Sequence, residues 1–157
     1  MPKIAPIFGR EKISTNKNLS SHFFLTNLLN RNYVKPELNY ILNDISKNFK
    51  SKNNDLKLIY LDANFTFFDG FPLLPHLSHN DGKKIDITFI YEDKNGVSTN
   101  LKPSNSGYGV FEEPKFNEKN QTEFCKENGY WLYDFTKYMT FGNFNKELKI
   151  SEKSTKL

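Results

Sequence analysis

Val34, Leu38, Ile41, Leu42, Ile45 and Phe49 fall on one helical face, and from Ile85 onward the apolar period changes to two. A repeat near 3.6 residues buries itself as a helix, whereas alternation buries one side of a strand. This change of period constrains the fold most, because it separates helix from sheet along the chain and predicts an α+β architecture. Pro36 suits the first turn of the helix and Glu37 its positive end, while Lys47 and Lys50 suit the far end. The run NND at residues 53–55 then breaks the pattern.

Other elements follow from the same reasoning. Residues 1–17, with Pro2 and Pro6, read as an irregular arm, and 18–157 as a single domain. Residues 18–30 read as a short helix, with Phe24 and Leu28, and Leu25 and Leu29, four apart. Leu56 to Leu61 reads as a buried strand, and TFFDGFPLLPHLSHNDG as a loop with Asp-Gly turns and prolines. In KKIDITFIYED, Ile85, Ile87, Phe89 and Tyr91 share one strand face; Asp86, Thr88 and Ile90 share the other. Asn95-Gly96 predicts a two-residue hairpin returning through VSTNLK. A short strand around Tyr108 to Phe111 follows, then an amphipathic helix carrying Trp131, Phe135, Tyr138 and Met139. The expected order is helices, a mainly antiparallel sheet with a hairpin, then a helix.

Composition bounds the function. A chain of 157 residues buries about 70% of its unfolded surface. Apolar residues are 37%, but 15 Phe and 8 Tyr supply large rings to fill a core. The net charge of +4 is a mild excess that does not point to nucleic acid. Lysine runs near residues 47–57 and in NKELKISEKSTKL read as solvated faces with a weak attraction to anionic surfaces, bacterial wall polymers included. Cys125 is the sole cysteine, which excludes an internal disulfide and a thiolate cluster. No stretch has the apolar length of a membrane span, and MPKIAPIFGREK has no signal-peptide run, so a chain starting at Met1 reads as cytosolic.

The chemistry gathers in PHLSHNDGKKID. Two of the three histidines, His76 and His79, lie there, and His79, Gly82 and Asp86 have the spacing H-x-x-G-x-x-x-D. Imidazole nitrogen and carboxylate oxygen are zinc donors at about 2.0–2.2 Å, and Gly82 supplies the freedom for the turn that would bring them together. On spacing alone, a polar loop in which His79 bonds to a turn and Asp86 opens a strand is the simpler reading. His76 is a candidate third ligand or a half-buried ring after Pro75. His22, beside Phe23 and Phe24, reads as a core-edge or interface residue.

The stretch SHNDGKKID resembles the signature of the zinc peptidase superfamily that groups D-alanyl-D-alanine peptidases, penicillin-insensitive murein endopeptidases and the hedgehog domain. The resemblance spans roughly Leu56 to Met139 and implies that His79 and Asp86 are the first two zinc ligands. Leu77 and Lys84 stand where many carboxypeptidase members have Ser and Ala, so IYLDANFTFFDGFPLLPHLSHNDGKKIDITFIY is more similar to an uncharacterised bacterial branch. The family pattern adds a third ligand, the second His of a late H-x-H, and a Glu or His as general base. No histidine follows His79 here, and Arg10 and Arg31 do not match the arginine that holds a substrate carboxylate. The resemblance therefore implies a chain that is C-terminally truncated or degenerate, binding zinc weakly and inactive as a peptidase. The family activity is hydrolysis of peptidoglycan stem peptides or similar amides in the cell envelope or periplasm. The alternative is a non-catalytic binding or structural α+β domain without zinc.

Overall fold

A computed structural model describes residues 1–53, 55–109, 114–130 and 139–155. It has the expected α+β architecture. Helix α1 is Phe24–Leu28, α2 Pro36–Lys52, α3 Gln121–Glu127 and α4 Glu152–Thr155. The strands are β1 Glu11–Lys12, β2 Leu19–Ser21, β3 Tyr33–Val34, β4 Leu58–Asp62, β5 Asp86–Ile87, β6 Tyr91–Glu92, β7 Ser98–Thr99 and β8 Lys149–Ile150.

Pro36 opens α2 at its first turn, with Glu37 beside it and Lys50 and Lys52 in the last turn. Its core face is Leu42 and Phe49, with Leu38 and Ile45 packed alongside. Burying such a side chain fully contributes about 1.5–3 kcal/mol. The stripe is narrower than expected, because Ile41 is half-exposed and Val34 belongs to β3. This core also holds Ile13, Leu19, Leu58, Tyr60 and Ile90.

Around that helix lie a β1–β3 ribbon, a sheet ordered β2-β4-β5 and a sheet ordered β7-β6-β8. Most pairs are antiparallel, but β2 runs parallel to β4, with Leu19 opposite Leu58 and Ser21 opposite Tyr60. Here the expected helix over 18–30 is corrected. Its first half is captured as a strand, with Leu58 N donating to Asn18 O and His22 N to Tyr60 O. Pairing and the burial of Leu19 outweigh the local helical pattern.

The expected irregular arm is also tied down. A 3-10 turn at Ala5–Phe8 leads to buried Arg10 and to β1. The expected strand through residues 85–91 is split between two sheets. The chain crosses over at residues 88–90, which buries both Ile90 and Tyr91 and leaves Ile87 and Phe89 exposed at 40% and 48%. The hairpin at Asn95-Gly96 forms, but its loop has three residues, 94–96, instead of two. Asp93 N bonds to Val97 O, and Gly96 N to Asp93 O with Gly96 at positive φ, the turn-plus-bulge closure of a three-residue loop. The lysine-rich end is not simply solvated: β8 pairs with β6, and Ser151 is buried. The expected helix at 131–139 lies outside the described residues except for Met139, as does most of the expected strand at 108–111, whose Tyr108 and Gly109 are not in a strand.

Gly82 turns the loop between β4 and β5 with φ +75°. A Cβ there would meet Lys35 Cγ at 3.0 Å and Arg10 Nε at 3.3 Å, whereas at Gly96, with φ +74°, it would meet nothing within 4 Å. Gly96→Ala is therefore expected to cost the backbone term of about 1 kcal/mol, and Gly82→Ala about 1–2 kcal/mol more. Urea unfolding of the two variants measures the difference; equal losses would mean that the loop has room for a methyl group.

Candidate metal centre

Strand β4 ends at a bulge, where Asp62 pairs with Asp86 of β5 after a register shift from the Tyr60–Ile87 pair. Two carboxylates thus face each other across an antiparallel pair, an arrangement that is unfavourable without a cation between them. The loop from 65 to 85 supplies imidazoles. His76 Nδ1 lies 3.1 Å from Asp62 Oδ2 and 2.9 Å from Asp86 Oδ2. His79 Nε2 lies 3.1 Å from Asp86 Oδ1. The two histidines are one turn apart, with His79 N donating to His76 O, and both are buried. One ligand atom from each of Asp62, His76 and His79 lies within 4.8 Å of the others, and such a group can hold a metal ion.

Contacts outside the cluster hold the loop in place. Asn64, fully buried, donates through Nδ2 to Lys84 O at 2.8 Å and accepts at Oδ1 from Gly82 N at 3.2 Å. Lys35 N donates to Gly82 O. Arg10 donates to Phe65 O at 2.7 Å and Asn80 O at 3.0 Å, which closes both ends of the loop.

Further partners were not marked in the sequence. Arg31 pairs with both oxygens of Asp62 and donates to Leu74 O at 2.5 Å. Tyr108 donates its hydroxyl to Asp86 Oδ2 at 2.7 Å and stands edge-on to the His76 ring. Gly107, whose positive φ and contact with Leu61 leave no room for a side chain, brings Tyr108 there. Asp62 closes an apolar strand, Arg31 lies in a linker and Tyr108 in a Ser/Gly-rich loop, so no spacing marks them. His22 is elsewhere, its Nε2 2.7 Å from Asn105 O.

The electrostatics follow from burial and pairing. Burial alone would lower the His76 pKa, but the hydrogen bonds and charges of Asp62 and Asp86 outweigh it and raise it to about 9. Burial would raise Asp86, yet the bonds from His76 and Tyr108, joined by one from His79 when that ring is protonated, hold it well below the usual carboxylate range. Burial would also raise Asp62, but the bonds and charges of Arg31 and His76 outweigh it and lower it. Burial and the Asp86 charge push the Tyr108 phenol up, so it remains a donor.

His79 has a fixed tautomer. Its Nδ1 is 2.7 Å from Ala63 O, and a carbonyl only accepts, so Nδ1 carries the proton. In the neutral ring, Nε2 then turns its lone pair toward the Asp86 carboxylate, and only a proton or a metal ion makes that approach favourable. A backbone carbonyl that orients an imidazole in this way is the usual support of a metal-binding histidine.

The structure thus brings His76, His79 and Asp86 together, with Gly82 at the turn, and adds Asp62. The donor set of imidazoles and carboxylates fits zinc in chemistry, since ligands at about 2.1 Å from a tetrahedral ion lie about 3.4 Å apart. Compared with known proteins, the chain matches no family model, no curated protein and no solved structure.

In the metal-free chain, His76 holds its proton to about 9, against 6.5 for an unperturbed imidazole. The folded state therefore binds more protons than the unfolded state between those values, and stability falls as pH rises through them. Thermal unfolding with chelator present is expected to show a falling Tm from about pH 6.5 to 9, and His76→Gln to lose that fall. A wild-type Tm that is flat over this window would contradict the His76–carboxylate pairing.

Proposed function

We propose that this chain is a zinc-binding domain of the peptidase type that SHNDGKKID resembles. His76, His79 and Asp86 hold the metal, and Asp62 is locked behind them by Arg31. The observation that carries the reading is the approach of His79 Nε2 to Asp86 Oδ1 at 3.1 Å with the other ring nitrogen committed to Ala63. His76 takes the place of the third ligand that the sequence lacks after His79. Zinc at such a site would lower the pKa of a bound water and polarise a carbonyl. The substrate class is a peptide or D-amino-acid amide such as a peptidoglycan stem peptide, and the setting is the cell envelope; both rest on the resemblance. Among the described residues no helix is long and apolar enough to cross a membrane.

A second reading has its own support. In the metal-free chain the positive charges of Arg31 and protonated His76 balance those of Asp62 and Asp86, a network that holds together without an ion. On that reading the domain is a non-catalytic binding module.

Competition with a chromophoric chelator separates the two. Zinc is expected to bind the wild type, with affinity rising as pH approaches about 9 because the metal must displace the His76 proton. His79→Ala, Asp86→Ala and His76→Ala are each expected to weaken it at least about tenfold. Zinc-dependent cleavage of muropeptides, lost in His79→Ala, would support the peptidase reading. A folded chain that takes up no zinc would favour the binding module, and tight zinc without turnover would keep the metal site but count against the peptidase activity. Unchanged affinity in all three variants would place the metal elsewhere.

A further inference from the structure

Beside the centre is a cavity of about 250 Å³, with Arg31, Asp62, His76 and Tyr108 in its wall. The rest of its wall is largely apolar: Phe23, Leu25, Leu29, Leu61, Pro75 and Phe141. Leu29 and Phe141, exposed at 53% and 63%, are its most open residues. A second, more polar cavity of about 420 Å³ has Ser78, His79, Asp86 and Thr88 in its wall. His76, Leu61 and Tyr108 belong to both, so the centre stands where the two spaces meet.

Arg31 decides what the apolar cavity accepts. A guanidinium in a pocket invites a carboxylate, but the charge of this one is already matched: Nε and one terminal nitrogen bind both oxygens of Asp62, and the other terminal nitrogen donates to Leu74 O. An acidic ligand would have to share a cation that buried Asp62 already neutralises, or displace Asp62 and leave it unpaired, and either costs more than an exposed ion pair returns. An apolar cavity of about 150 Å³ already holds benzene, so this one has room for a leucine- or phenylalanine-sized group.

We propose that this cavity binds a neutral, bulky apolar group of the substrate, a branched or aromatic side chain next to the amide presented to the metal centre. Arg31 is then a positioning residue for Asp62 and not a carboxylate receptor. The inference rests on the metal-centre reading for its placement beside a reacting amide, and on the cavity alone for the chemistry of the group bound.

Hydroxamates anchor to a metal and carry a variable tail. Calorimetry on the zinc-loaded chain with acetohydroxamate, 3-phenylpropanohydroxamate and succinic monohydroxamate is expected to show the phenyl tail improving affinity about tenfold or more, and the acidic tail giving no gain. Leu29→Trp, which fills the open side, is expected to erase the phenyl preference, with zinc affinity as the check that the centre still forms. Equal affinity for the three probes, or preference for the acidic one, would overturn the proposal. If no zinc binds, the metal reading falls separately, and NMR of the metal-free chain with 3-phenylpropanamide against acetamide tests the cavity. Phenyl-specific shifts at Leu25, Leu29 and Arg31 would support it, and their absence would overturn it.

Discussion

Two carboxylates that face each other across β4 and β5 set the terms for everything around them. Asp62 and Asp86 both approach the same His76 nitrogen, so the oxygens concerned are no more than about 6 Å apart. At that distance two unit charges repel by about 3 kcal/mol with an effective dielectric of about 20. The fold answers with positive charge from separate elements. The linker after α1 brings Arg31 to Asp62, the loop before β5 brings His76 between the two acids, and the loop after β7 adds the Tyr108 hydroxyl. Remove these groups and the β4–β5 register loses its reason to hold at the bulge.

That arrangement explains why part of the site was legible in the sequence. His79, Gly82 and Asp86 come from one turn and one strand start, so their spacing alone carries their geometry. His79 and Asp86 meet as the spacing requires, and Gly82 has the positive φ that the turn needs. His76 was ambiguous because a histidine after proline serves equally well as packing. It does both here, buried and bonded to two acids.

Asp62, Arg31 and Tyr108 were illegible for one reason: each is brought in by contacts distant in sequence. Asp62 ends an apolar strand and reads locally as its boundary. Its partner Arg31 arrives only because β2 pairs with β4 in parallel, which directs α1 and the following linker back over the strand end. The helix periodicity of α2 was readable because a helix carries its pattern within itself. The run from Ile85 to Tyr91 misled because alternation describes a strand but not which sheet receives it. A crossover at residues 88–90 reverses which side is covered, and no local pattern records that.

The loop that carries the histidines is held by groups other than the ones that would bind an ion. Asn64, Lys35 N and Arg10 anchor it through backbone carbonyls and amides, and none of those bonds uses His76, His79 or Asp86. The charge in the cluster can therefore change while the frame stays. A proton on His76 and a divalent cation would occupy the same electrostatic role, neutralising Asp62 and Asp86, and they compete for overlapping lone pairs. A frame whose contacts do not involve the cluster's own side chains makes that exchange a local event. The ordering of the loop is met at folding rather than at binding, which is what preorganisation of a ligand set requires.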